Sequence, residues 1–507
     1  MEQKNIRSYK ALWYFASFGF LFIWFSRIYP LVAYDGDDWQ YLSYVRKAIP
    51  LWQNWNPSRV LPEVLMPLCG AVAAFVVTPL TGDYIRSVTL VSALVVSGSI
   101  VVYLHCFARL MERRFSMSGS SAVLLSMLFL VLHFLVMCFQ DSYNNYLFLC
   151  NDLTCYYFYL IPALLNCSLV MWMMAGFDQD LTREGSLKKQ GLFVVAVYFA
   201  IFSNLPDSVI LAIYAGVRLL LAFIRDWKSP YFRKSFLRKN VPELLIVAAW
   251  FVSAIFELNG GRASADMGYR LPPLQGLKET VHRFCRMVFY SNRFFLLFAF
   301  LVVIGAIAVL AFTKEKGSRE KEVLSTAREL ILCAILMVAA IVILCVKVDV
   351  CNINRSEYVF GIYFYGLLLL FTAFTYLLHK FPKLMLALPL VICILASSVI
   401  TPNKTFLSAN YQDCDSSICI AVINDVIDQL RTAQEAGQSE ATIHVPVSEP
   451  DDNWPLSSFT GDMMASTLYD HGVLSRPIQV TVQPDPEMNK KYDLPIPETV
   501  QLPSPQS

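Results

Sequence analysis

The stretch "YPLVAYDGDDWQYLSYVRKAIPLWQNWNPSRVLPEVL" (29–65) joins an apolar segment to three acids, Asp35, Asp37 and Asp38, within four positions. The apolar segment, residues 11–32, is long enough to cross about 30 Å of hydrocarbon. It is too long for the apolar core of a secretory signal and has no small-residue cleavage site, so we expect it to stay as the first membrane helix. The sequence therefore predicts three acids at the edge of a membrane.

The composition of the whole chain agrees with this prediction. Of 507 residues, 56% are hydrophobic and 16% are charged, whereas soluble domains have roughly 25% charged residues. Apolar runs recur as far as Ile400, where the composition becomes polar and proline-rich. We predict a polytopic α-helical membrane protein with a membrane domain at 1–400, a small external α/β domain at 401–487 and a proline-rich irregular tail at 488–507.

The apolar runs predict about eleven membrane spans, and one further segment, 60–80, is ambiguous. The predicted spans are 11–32, 85–108, 119–139, 155–176, 191–203, 208–225, 242–258, 293–312, 329–347, 361–378 and 383–400. If 60–80 does not span, the basic amino terminus and all five basic loops fall on the cytoplasmic side, as the positive-inside rule requires. We therefore expect an interfacial or re-entrant segment broken by Pro62, Pro67 and Gly70, inside a first external loop at 33–84.

Three features of this first loop resemble the GT-C class of membrane glycosyltransferases. They are the acids in "DGDDW" (35–39), the proline-rich "NPSRVLPEVLMP" (56–67), and the turn "LTGDYIRS" (80–87) that leads into the next span. The resemblance covers roughly residues 1–400. It implies an inverting enzyme that moves a sugar from a polyprenyl-phosphate donor to a cell-envelope glycan or lipid. It also implies a multi-pass protein of the bacterial inner membrane, with a cytoplasmic amino terminus and the carboxy-terminal domain outside.

The resemblance assigns the catalytic base to an acid of the first external loop, here Asp37 or Asp38. Inverting transfer needs a carboxylate to accept the proton of the acceptor hydroxyl as that hydroxyl attacks the anomeric carbon. The two side chains point in different directions in either a helix or a strand, so we expect different roles for them. Asp35 is a third candidate, as a substrate-binding residue. The alternative interpretation is that the acids cap a helix that begins near Trp39.

A phosphodiester donor needs cations, and arginine binds phosphate oxygens in pairs. Arg355, with Glu357 and Tyr358 beside it, is the first candidate, because basic residues at comparable late external positions bind donor phosphate in the GT-C class. Arg59, before the proline-rich segment, is the second. Snorkelling of these arginines to lipid headgroups is the alternative.

Two further carboxylates, Glu63 and Asp207, lie close to predicted hydrocarbon and are candidate lining residues of a substrate groove. The acids of "DGDD" offer oxygens that a divalent cation would accept. Because arginine can neutralise the donor phosphate, the favoured prediction has no metal and no cofactor.

In the polar tail, helical periodicity at 417–438 and 459–472 and strand-like alternation at 441–447 and 476–484 predict an α/β module. Cys414 and Cys419 are close enough for a disulfide, which the sequence leaves open.

The expected partners are the lipid-linked donor, a surface glycan or lipid acceptor and membrane lipids. Nucleic acid is not expected, because no basic stretch is interleaved with aromatic residues on a soluble face and the net charge is only +2. An envelope polysaccharide polymerase, a lipid-linked-sugar flippase or transporter, and an inactive scaffold are the alternative functions.

Overall fold

A computed structural model describes most of the chain. The described residues are 2–44, 58–137, 143–178, 187–228, 232–258, 271–313, 317–399, 405–406, 415–448 and 460–497. They form a helical membrane protein with two short parallel strand pairs. Cys414 lies outside the described residues.

The helices, numbered in chain order, are α1 (Glu2–Ile23), α2 (Gly36–Ser43), α3 (Val60–Thr81), α4 (Tyr84–Arg113), α5 (Gly119–Leu135), α6 (Leu153–Met174), α7 (Leu187–Ile201), α8 (Leu205–Asp226), α9 (Phe232–Lys239), α10 (Val241–Leu258), α11 (Pro273–Phe289), α12 (Arg293–Phe312), α13 (Ser318–Lys347), α14 (Ser356–Lys380), α15 (Leu384–Ser397), α16 (Ser416–Glu435), α17 (Thr460–Asp470) and α18 (Pro486–Lys491). The strands are β1 (Tyr143–Asn144), β2 (Thr405–Phe406), β3 (Glu440–Val445) and β4 (Gln479–Pro484).

Eight helices among the described residues are long and apolar enough to cross a membrane: α1, α3, α4, α6, α8, α12, α13 and α14. Seven of them coincide with predicted spans, and the eighth is α3. The predicted spans at 119–139, 191–203, 242–258 and 383–400 are also helical, as α5, α7, α10 and α15, with 17, 15, 18 and 14 residues. The total of eleven spans stays a prediction.

Helix α3 corrects one expectation, because it is not broken at its prolines. It runs from Val60 to Thr81 with a π-helical turn at Ala73–Val77. Pro62 lies in the first turn, where backbone N–H groups have no partner within the helix, so it costs little there. The structure also accommodates Pro67 in the interior of the helix.

Contacts nevertheless place both ends of α3 at the same end of the bundle. The first residue, Val60, donates its N–H to the carbonyl of Phe202, just before α8 begins. The last turn leads directly into α4, whose Thr89 donates to the carbonyl of Leu31 just after α1. The other ends of α1 and α4 are joined by the ion pair of Lys10 and Glu112.

Because α1 and α4 run antiparallel, the chain between them leaves and re-enters the bundle at one end. Exposed apolar side chains of α3 form one stripe: Val64, Leu68, Val72, Phe75, Val76 and Leu80. One face of α3 is therefore apolar and not covered by the described residues.

The tail elements α16, β3, α17 and β4 end within three residues of the predicted bounds. Strands β3 and β4 pair in parallel, with Ile443 opposite Val482. The tight packing of α17 on this pair needs a glycine, since a Cβ on Gly461 would approach the Val480 and Val482 side chains to 2.9 and 2.8 Å. That these elements form a separate external domain stays a prediction.

Helix α17 also packs on the first loop. Thr467 donates to the carbonyl of Trp39 and lies 2.8 Å from the Ser43 hydroxyl. The hydroxyl of Tyr84, at the start of α4, shares a 2.7 Å hydrogen bond with Nδ1 of His471. The carboxy-terminal module therefore covers the helix that carries the three acids.

Candidate functional site

The three acids lie at the start of α2, in a capping box. Asp35 is the N-cap and accepts a 2.8 Å hydrogen bond from the N–H of Asp37. Asp38 reaches back, and its Oδ2 accepts from the N–H groups of Tyr34 and Asp35 at 3.1 and 3.2 Å. The helix begins here because these side chains satisfy N–H groups that have no partner within the helix.

Asp38 also ties α2 to the start of α6. Its Oδ1 accepts from the N–H and the hydroxyl of Thr154 at 2.6 and 2.7 Å, and the side chain is fully buried. With four donors on two oxygens, Asp38 has the structural role that was the alternative interpretation. Asp37 is half-buried, so it is the more accessible of the two predicted bases.

A fourth acid, Asp152, joins this cluster and was missed in the sequence. It is the N-cap of α6, and its oxygens accept from the N–H and Sγ of Cys155 at 2.6 and 3.2 Å. Burial raises the pKa of Asp152 to about 6, with Asp35 adding to the rise against the hydrogen bond from Cys155. Burial likewise raises the pKa of Asp38, as do Asp152 and Asp35, although the donors around Asp38 oppose this. The sequence feature that identifies Asp152 is an acid directly before an apolar run, the ordinary pattern of an N-cap.

Arg355 connects the acid cluster to the start of α14. Its Nε donates to Oε1 of Glu357 at 2.7 Å, and its Nη2 lies 3.3 Å from Sγ of Cys155. The guanidinium carbon is 6.0 and 5.6 Å from the ring centroids of Tyr159 and Tyr358. The predicted group Arg355, Glu357 and Tyr358 therefore lies beside the first-loop acids, with Tyr159 as a further aromatic neighbour.

Arg59, the second predicted phosphate ligand, pairs with an acid at the end of α10. Its Nε and Nη2 donate to the two carboxylate oxygens of Glu257 at 3.0 and 3.1 Å. It is within electrostatic reach of Tyr159 and Tyr41. Within the described part of the chain, the hydrogen bonds of both Arg59 and Arg355 use Nε and Nη2. Each guanidinium therefore keeps Nη1 for another acceptor.

Asp207 and Glu63 lie in the first turns of α8 and α3. Asp207 is 1% exposed, and its Oδ2 has no hydrogen-bond partner among the residues the structure describes. It interacts electrostatically with Glu357, which is also buried. Glu63 is half-buried. Asn204, the N-cap of α8, donates to the carbonyl of Phe158 at 2.7 Å, which fixes the start of α8 against α6.

Five helix N-termini therefore meet at one end of the bundle: those of α2, α3, α6, α8 and α14. The N-terminus of a helix carries partial positive charge and favours anions. The arrangement offers carboxylates that can accept a proton, two arginines for an anion and tyrosine faces for a ring. In the described part of the chain, no three His, Cys, Asp or Glu side chains are grouped closely enough to hold a metal ion.

Comparisons with protein-family models, with curated proteins and with solved structures found no match to this chain.

Proposed function

We propose that this cluster transfers a sugar from a polyprenyl-phosphate donor to a glycan or lipid of the cell envelope, with inversion. The observation that carries the proposal is a continuous set of contacts between three distant segments. Asp38 binds Thr154, the neighbouring Cys155 contacts Arg355, and Arg355 pairs with Glu357. An acid-rich loop and a late arginine thus lie side by side at one end of a helical membrane protein.

In the proposed reaction, the acceptor hydroxyl oxygen attacks the anomeric carbon while the bond from that carbon to the phosphate oxygen breaks. Asp37 takes the hydroxyl proton, and the lipid phosphate leaves as an anion. Nη1 of Arg59 and Nη1 of Arg355 bind phosphate oxygens, and the ring of Tyr159 supports the sugar. Asp38 holds α2 in place against α6.

Asp152 is a second group able to take the proton, since a base works best when its pKa is near the working pH. Asp37 is favoured because it belongs to the first-loop motif.

The proposal extends to orientation and location. Arg113, Arg114 and Arg225, at the ends of α4 and α8, lie at the end of the bundle away from the acid cluster. By the positive-inside rule, that end is cytoplasmic and the acid cluster faces outward. We place the enzyme in the inner membrane of a bacterium, with eleven spans, α3 lying at the surface and the carboxy-terminal module outside.

The test compares envelope glycans, by mass spectrometry, from cells with the intact gene, without it, and with Asp37→Asn. We expect the deletion to remove one sugar-sized group, Asp37→Asn to reproduce that loss, and the protein to reach the membrane in normal amounts. The control is Asp428→Asn, the same chemical change at an exposed position of α16. A shortened glycan chain would instead indicate a polymerase, and an unchanged glycan in every strain would refute transfer.

A further inference from the structure

A second polar site lies at the opposite end of the bundle. It is a cavity of about 1710 Å³ between the ends of α4, α6 and α8 and the starts of α10 and α13. Helix α8 connects the two sites, with Asp207 in its first turn and Arg225 in its last. Asp207 and Arg218, which lines the inner part of the cavity, are about 16 Å apart along the axis of this helix. The proposed glycosyl transfer makes no use of this cavity.

Two buried carboxylates share one cation in the inner part of the cavity. Arg218 Nη1 is 2.8 Å from Oδ2 of Asp178, and Arg218 Nη2 is 3.1 Å from Oε1 of Glu243. Asp178 is 4% exposed and Glu243 is 2% exposed. One guanidinium facing two carboxylates leaves this inner group one negative charge in excess.

Each of these carboxylates also has an oxygen without a donor. Oδ1 of Asp178 and Oε2 of Glu243 are buried and have no hydrogen-bond partner among the described residues. Buried polar atoms in folded proteins are nearly always paired. Both residues line the same cavity, which indicates a ligand there that brings N–H or O–H groups to their carboxylates.

The outer part of the cavity has the opposite charge. Its exposed lining residues include Arg225, Arg238, Lys239 and Arg328. Glu322 is the one exposed acid among the described lining residues, and it faces Arg114 at 3.5 Å. An anion is therefore favoured at the rim, and a cationic donor group is favoured inside.

We propose that this cavity binds a phosphate ester of a primary amine, the chemistry of an ethanolamine phospholipid headgroup. The ammonium group donates to Asp178 and Glu243 and balances their excess charge, while the phosphate lies among the cations of the rim. The apolar side chains of Met173, Leu221 and Leu332 in the same wall suit an acyl chain.

The experiment measures lipid binding to the purified full-length chain by native mass spectrometry. The probes are phosphatidylethanolamine and phosphatidylcholine with identical acyl chains. Both carry a phosphate and a positive nitrogen, but the choline nitrogen has no N–H. Because hydrogen bonds to charged groups are the strong ones, we expect phosphatidylethanolamine to bind at least about 10-fold more tightly.

Variants assign that preference to the cavity. Glu243→Gln should lower the preference at least about 5-fold by removing the charge that attracts the ammonium. Glu435→Gln, the same chemical change at an exposed position of α16 outside the cavity, should keep it. Equal binding of the two lipids by the unmodified protein would overturn the proposal, and so would an unchanged preference in folded Glu243→Gln. If Glu243→Gln does not fold, the comparison of the two lipids on the wild-type protein still tests the proposal.

Soluble phosphoethanolamine distinguishes the sources of the ligand. Displacement of the lipid by this compound assigns the site to the headgroup alone, whereas displacement only by added phosphatidylethanolamine assigns it to the membrane lipid. The lipid-binding measurement does not depend on glycosyl transfer. Either proposal can therefore be refuted while the other stands.

Discussion

Replacing Asp38 with asparagine should destabilise the fold before it affects any chemistry. The carboxylate receives four hydrogen bonds, two on each oxygen, from Tyr34, Asp35 and Thr154. Asparagine has one oxygen and one NH2 group, so one pair of donors must face the NH2. In the better orientation the NH2 faces Thr154, whose hydroxyl can turn and accept while its backbone N–H loses its partner.

The loss of an acceptor for the Thr154 backbone N–H determines how far the free energy of unfolding should fall. One buried N–H without an acceptor costs about 1–3 kcal/mol. The other orientation leaves both the Tyr34 and the Asp35 N–H groups facing the NH2 and costs more. The free energy of unfolding of Asp38→Asn should therefore fall by at least about 1 kcal/mol relative to the wild type.

Equilibrium unfolding in mixed micelles measures this difference. Thr154→Val serves in a double-mutant cycle, because it removes the hydroxyl that Asp38 accepts while the backbone N–H stays. We expect the two substitutions to be coupled by about 0.5–3 kcal/mol. An Asp38→Asn protein as stable as the wild type, or strictly additive effects, would contradict the structural role of Asp38.

Three further predictions concern the same end of the bundle. Because the pKa of Asp152 is raised to about 6 in the folded state, the folded chain binds a proton that the unfolded chain releases. Stability should therefore fall as the pH rises from about 4 to about 6, and Asp152→Asn should flatten this slope in unfolding measurements. Arg355→Gln should lower stability by a few kcal/mol by leaving Glu357 buried without its cation, and should raise the donor KM in a transfer assay. Gly70→Ala should destabilise the protein by about 1–3 kcal/mol in unfolding measurements, because its Cβ would lie 2.3 Å from the Leu42 carbonyl oxygen.

Each of these has a matched control. Asp349→Asn changes another N-cap aspartate and keeps Asp152, so the fall in stability between about pH 4 and about pH 6 should persist. Adding Glu357→Gln to Arg355→Gln should recover most of the stability but leave donor binding weak. Gly98→Ala, at a helical position with no other atom within 4 Å of the new Cβ, should be neutral or stabilising by up to about 1 kcal/mol. If a control variant changes stability or its pH dependence as much as the variant it is matched to, the physical cause given for that variant is refuted.

Features that depend on local sequence were predictable. The tail helices and strands followed from periodicity, whereas a capping role for the first-loop acids was only the alternative that residue type offered. Helix α3 was harder, because an apolar segment with two prolines is compatible with both a broken and a continuous helix. Pro62 fits because it falls in the first turn, and periodicity does not show where a helix begins to within one residue.

Features that depend on distant residues were not predictable. No local pattern says that Arg59 pairs with Glu257, 198 residues away, or that Cys155 lies between Asp152 and Arg355. These pairings depend on how the helices pack. For the same reason, the sequence predicted Arg59 and Arg355 only as cations for a phosphate. It did not show that each of them also pairs with a glutamate in the folded chain.

The docking of α17 on α2 also governs when the site can exist during synthesis. Ser43 and its partner Thr467 are separated by 424 residues. A ribosome that adds roughly 5–20 residues per second needs about 20–85 seconds to make the chain between them. Throughout that interval the acid-bearing helix lacks its cover, so a chain that ends between Asp152 and Thr467 carries every acid of the cluster without the completed surface around them. The covered site can therefore assemble only after Thr467 has been synthesised.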